Sequence, residues 1–120
     1  MKKLLYSPGY GAGWSTWNDG RVDRYMTTYQ PIIDFIEAGG SFSRDEVNYD
    51  TSNGGLSTEK MHPLLVELVR ECAERFGVEY ICVLGAHNLE VLTVSDNTQV
   101  RFEEYDGNES YCIADQVEWF

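Results

Sequence analysis

No apolar run in this chain approaches the roughly 18 residues that a membrane-spanning helix requires, which excludes a helical membrane protein. Base is scarce: nine Lys and Arg stand against 20 Asp and Glu, for a formal net charge of −11 over 120 residues. Such a balance disfavours direct nucleic-acid binding, because a negative field repels phosphate backbones, and it disfavours anionic membranes for the same reason. Cysteine is sparse and unpatterned. Cys72, Cys82 and Cys112 form no C-x-x-C, and the two histidines, His62 and His87, show no ligand spacing. Neither a disulfide framework, nor a metal site, nor a cofactor is expected from them. The opening Met1-Lys2-Lys3-Leu4-Leu5-Tyr6-Ser7 lacks the apolar stretch of a secretory signal, so the expected compartment is the reducing cytoplasm. Internal repeats and low-complexity tracts are also lacking, and the length suits a single domain over 1–120.

What is present is an adequate core and an uneven charge. Hydrophobic residues make up 42% of the chain, with three Trp, eight Tyr and five Phe among them. That is enough for an ordinary globular core. Residues 1–60 hold six bases against eight acids, a net −2, whereas residues 61–120 hold three against twelve, a net −9. Beyond Arg101 no base occurs, while Glu103, Glu104, Asp106, Glu109, Asp115 and Glu118 follow. An acidic field of this kind favours encounter with a basic protein partner.

The hydropathy pattern predicts an α+β fold. A first strand over Lys3–Ser7 ends at Pro8. Apolar residues at Val22, Tyr25, Met26, Tyr29, Ile32, Ile33 and Ile36 recur at helical spacing, with a break or kink predicted at Gln30-Pro31. Residues 41–57 read as a long polar loop. A second helix opens at Pro63, buries Leu64, Leu65, Leu68, Val69, Cys72, Ala73 and Phe76, and stops at Gly77. Four strand-like runs follow, Tyr80–Leu84, Glu90–Val94, Gln99–Tyr105 and Ser110–Ile113. Their short connections predict an antiparallel meander. Within the third run Val100, Phe102 and Glu104 face one way and Arg101, Glu103 and Tyr105 the other. The expected architecture is a two-layer sandwich in which two helices cover the meander, in the order β-α-α-β-β-β-β.

Two segments are candidate sites. Gly9-Tyr10-Gly11-Ala12-Gly13-Trp14 is a glycine-rich loop after a strand, a place where backbone N–H groups can cradle phosphate. It matches neither the dinucleotide fingerprint nor a P-loop, since Trp14 occupies the required third spacing and no Gly-Lys-Ser/Thr occurs. A small ligand or nucleotide there would use Gly9, Gly11, Gly13 and Trp14, with Arg21 or Arg24 supplying positive charge. The same stretch crowds Tyr10, Trp14 and Trp17 together, and aromatic residues of this kind anchor protein interfaces. The second segment, Glu103 to Ser110, reads as an acidic hairpin tip whose carboxylates could occupy an Arg/Lys groove.

No catalytic constellation is readable. Ser57-Thr58-Glu59-Lys60 has the S-x-x-K spacing without its companion motifs. His62 and His87 have no nucleophile or orienting acid near them in sequence. Glu103 and Glu104 are adjacent on a strand and so face opposite sides.

The stretch Leu5-Tyr6-Ser7-Pro8-Gly9-Tyr10-Gly11-Ala12-Gly13-Trp14, with Glu103-Glu104-Tyr105-Asp106-Gly107, resembles a group of short proteins carried by phages, plasmids and bacterial genomes, over nearly the whole chain. That resemblance implies no site residues. In size and charge alone the chain is similar to anti-CRISPR-type inhibitors. The expectation is therefore a small acidic, non-enzymatic binding protein, a mobile-element inhibitor of a basic host defence or nucleic-acid-processing protein. Tyr10, Trp14, Trp17, Glu103, Glu104, Asp106 and Glu109 would contact the partner. The alternative is the small-ligand or nucleotide protein built on the Gly9–Trp14 loop.

Overall fold

A computed structural model describes residues 1–9, 13–47, 61–78, 81–105 and 107–113. Strand β1 (Lys2–Tyr6) is followed by a 3-10 turn at Ser15–Trp17, helices α1 (Asp23–Thr27) and α2 (Gln30–Glu37), and a second 3-10 turn at Asp45–Val47. Helix α3 (Pro63–Phe76) and a 3-10 helix at Leu84–Asn88 lead into strands β2 (Glu90–Val94), β3 (Val100–Tyr105) and β4 (Asn108–Ile113). The class is α+β, and the four strands among the described residues all pair antiparallel.

Among the described residues the strands form two sheets of two strands each. β1 pairs with β2, from Lys2 opposite Val94 to Tyr6 opposite Glu90. β3 pairs with β4, from Val100 opposite Ile113 to Tyr105 opposite Asn108. The expected continuous meander is thus divided, because β2 takes the N-terminal strand as its partner rather than β3. Tyr6 joins the two sheets, stacking on Phe102 at 5.8 Å and meeting Tyr111 edge-on at 5.5 Å.

The first predicted helix is broken, but earlier than expected. Tyr29 is extended (φ −68°, ψ 102°), so Pro31 falls in the first turn of α2, where its missing N–H leaves no bond unmade. Helix α3 has the predicted bounds. The Nδ1 of His62 accepts a hydrogen bond from the Leu64 amide at its N-terminus, and Gly77 closes it in the left-handed region at φ 69°. Leu65, Leu68 and Cys72 are its buried stripe, while Arg70 pairs with Glu67 and Glu74 on the wet face.

The predicted strand at Tyr80–Leu84 is corrected in its described part. Residues 81–83 are buried, belong to none of the described strands and lead into the 3-10 helix. The Asn18 side chain replaces the ladder. Its Oδ1 accepts from the Cys82 amide at 2.7 Å and its Nδ2 donates to the Cys82 carbonyl at 2.9 Å. Both backbone groups of a buried residue are thereby satisfied without a neighbouring strand.

The core lies where β1, α1, α2, α3 and the 81–86 segment meet. Leu5, Trp14, Val22, Met26, Ile32, Ile33, Leu65, Leu68, Ile81 and Val83 are essentially inaccessible. Each such apolar side chain contributes about 1.5–3 kcal/mol of burial. Among the described residues no helix is long and apolar enough to cross a membrane.

Candidate functional site

The organising residue is Glu109. Strand β4 alternates, so Glu109 shares a face with Tyr111 and Ile113, the face turned toward the body of the protein. Its side chain is only 1% exposed. Glu109 Oε1 accepts from the Ser7 amide at 2.8 Å, and Oε2 accepts from the Trp14 amide at 2.7 Å, the Thr16 amide at 3.1 Å and the Thr16 hydroxyl at 2.5 Å. The Glu109 amide in turn donates to the Ser7 carbonyl at 2.8 Å. A buried carboxylate is costly unless fully hydrogen-bonded, and four donors meet that requirement here. The hairpin of β3 and β4 is fastened through this one residue to the end of β1 and to the segment after the glycine loop.

The surrounding residues exist to make that contact. A Cβ on Gly13 would stand 2.7 Å from Thr16 Oγ1 and 2.7 Å from Trp17 Cδ1, so only glycine lets the segment close on the carboxylate. The backbone of Gly9 packs on Asn88 in the same way. Trp14 is wholly buried, and its indole Nε1 donates to the Met26 carbonyl at 3.0 Å, near the end of α1 where carbonyls lack helical partners. Asn18 Nδ2 also donates to the Trp14 carbonyl at 2.8 Å.

Two expectations are corrected by this arrangement. Glu109 and Trp14 are not exposed partner contacts. Glu109 is the internal counterpart of the loop's amides, and Trp14 belongs to the core. The glycine loop also does not offer a phosphate cradle from its described residues, because the Trp14 and Thr16 amides already bond Glu109. Arg21 is turned aside: it pairs with Asp19 at 2.9 Å and reaches the Phe76 carbonyl at 3.3 Å. Tyr10, Gly11 and Asp106 lie outside the described residues, as does the Ser57–Lys60 motif.

Two of the remaining partner residues, Trp17 and Glu104, come together at the surface, and Glu103 is not joined to them. Trp17 is 44% exposed, and its indole Nε1 donates to Glu104 Oε2 at 3.3 Å. The same oxygen accepts from the Gly107 amide at 3.0 Å. Glu103 lies on the opposite, solvent-facing side of β3 and pairs with Arg101 at 2.8 Å. Tyr105, on that face at the tip of the hairpin, is 79% exposed. The sequence places Tyr105 beside Glu103 on a face suited to solvent or binding, but it assigns no site role to Ser7, Thr16 or Asn18. The two-residue period that places Glu109 beside Ile113 was the available signal for its burial.

Below Glu104 an open cleft of about 1000 Å³ separates β1 and α1 from β3. Lys2, Leu4, Thr16, Arg24, Phe102 and Glu104 are among its lining. Arg24, expected to serve a ligand at the glycine loop, therefore opens on this cleft instead.

Burial, followed by the nearby Glu71 carboxylate, pushes the Tyr29 and Tyr25 hydroxyls above their ordinary range. Burial also raises the Cys72 thiol to about 11, which keeps it protonated and unreactive. The Arg21 hydrogen bonds hold Asp19 down at about 2. His62 caps α3 and packs on Phe35 and Phe42, and His87 Nδ1 lies 2.7 Å from the Leu84 carbonyl. Among the described residues no group of three or more His, Cys, Asp or Glu could hold a metal ion.

No family model matches the chain, and no curated protein or solved structure is detectably similar to it.

Proposed function

We propose that the protein is a small acidic, non-enzymatic binding module whose docking surface is the tip of the β3–β4 hairpin together with Trp17. The observation that carries this reading is the pairing of display with anchorage. Glu103, Glu104, Tyr105 and Trp17 are exposed, while Glu109 fixes the same hairpin to the body through four hydrogen bonds. A surface held in place before binding loses little conformational freedom on association. Exposed Tyr and Trp supply contact area, and the carboxylates supply charge for a basic partner. The partner chemistry is an Arg- or Lys-rich groove of the kind that handles nucleic acid, which fits an inhibitor carried by a mobile element and acting in the cytoplasm, where three free thiols remain reduced.

The test is capture of partners by the tagged protein from a bacterial lysate at low and high salt, read by mass spectrometry. The paired control is the Glu103→Gln/Glu104→Gln variant. The reading expects a basic protein that is retained at low salt, is released at high salt and is lost with the variant. A partner held equally by the variant at every salt concentration would contradict it.

A further inference from the structure

Trp17 and Glu104 form more than a charged patch. The Cδ1 edge of Trp17 closes over Gly13, where no side chain could intervene, and its Nε1 is bonded to Glu104. The indole is thus held on the edge carrying Cδ1 and Nε1, and 44% of the residue remains open to solvent. Glu104 is fixed as well. Its Oε2 takes two neutral donors, the Trp17 indole and the Gly107 amide, and it has no cation partner among the described residues. Among the described residues no donor is bonded to Oε1. The nearest base in sequence, Arg101, is already engaged by Glu103.

We infer that this pair is a receptor for a single arginine side chain of the partner, with the guanidinium over the Trp17 ring and an N–H donated to Glu104 Oε1. The inference rests on the reading of the hairpin tip as the docking surface, and it names the residue type that surface selects. A planar guanidinium stacks on an indole face while keeping its edge N–H groups for a carboxylate. A lysine ammonium is a compact, strongly hydrated point charge and gains less from the same geometry.

The experiment titrates the intact, isotope-labelled protein with a short arginine homopeptide and a lysine homopeptide of equal length, following the Trp17 indole N–H resonance by NMR. The arginine peptide is expected to move that resonance and to bind about fivefold more tightly than the lysine peptide. Glu104→Gln is expected to weaken arginine binding about tenfold, and Trp17→Ala to abolish the preference for arginine. Equal, salt-sensitive binding of both peptides would overturn this inference while leaving the charged docking surface standing. So would a preference that survives Trp17→Ala. No binding of either peptide would overturn both. Because Glu104 is exposed and Gln keeps its shape, that variant remains informative should Trp17→Ala fail to fold.

Discussion

Glu109 and Glu104 sit opposite each other in the β3–β4 register, yet they do different work. The buried one meets four donors from the protein, whereas the exposed one meets an indole, an amide and the solvent. Replacing Glu109 with Gln would aim an N–H₂ group at donors, leaving buried N–H groups unmatched. A loss of about 2–4 kcal/mol follows from the cost of breaking a buried charged hydrogen-bond network, to be read by urea denaturation of the variant. Glu104→Gln keeps a side-chain oxygen that can still accept from Trp17 and from the Gly107 amide, and it should change stability by under about 0.5 kcal/mol. Alkaline titration probes another residue. The raised Tyr29 hydroxyl favours the neutral phenol in the folded state, so its contribution is complete below the ordinary tyrosine value near 10 and is lost as pH rises above it. Tyr29→Phe should therefore flatten the fall in stability above pH 10, measured by denaturation across that range.

At the scale of elements, the legible parts were those with local chemistry. The bounds of helix α3 could be read almost to the residue, because Pro63 and Gly77 each act within a few positions, whereas Ala73, expected on the buried stripe, is exposed. The alternation of β3 was equally plain. The segment at 81–83 was not legible, because an apolar run looks alike as strand or buried coil, and the deciding partner, Asn18, is 64 residues away. The site was half legible for the same reason. Charge and aromatic content marked Trp17, Glu103 and Glu104, but the inward turn of Glu109 depends on Ser7, Trp14 and Thr16, about a hundred positions earlier. Asn18→Ala should cost about 1–3 kcal/mol by leaving the buried Cys82 amide without an acceptor, again by denaturant unfolding. Thiol labelling offers a further check on the same region. Cys112, partly exposed on β4, should react in the native protein, while Cys72 reacts only on unfolding.

For the whole molecule, a net charge of −11 gives a field that any basic partner senses before contact. Field alone does not select a surface, since acids are spread over α1, α2, α3 and the strands. In the proposed reading the arrangement of the hairpin does so, with one acid anchoring it and others displayed beside Trp17 and Tyr105. Binding should therefore separate from stability by site: Glu109 variants lose both, and Glu103 and Glu104 variants lose binding alone. The most direct measurement is the affinity of a captured basic partner for the wild type and for Glu103→Gln/Glu104→Gln, titrated across salt concentration, with denaturation curves run in parallel. The account predicts a variant as stable as the wild type that binds at least about tenfold more weakly at low salt, with a shallower salt dependence. Unchanged affinity and an unchanged salt slope in a folded variant would contradict it.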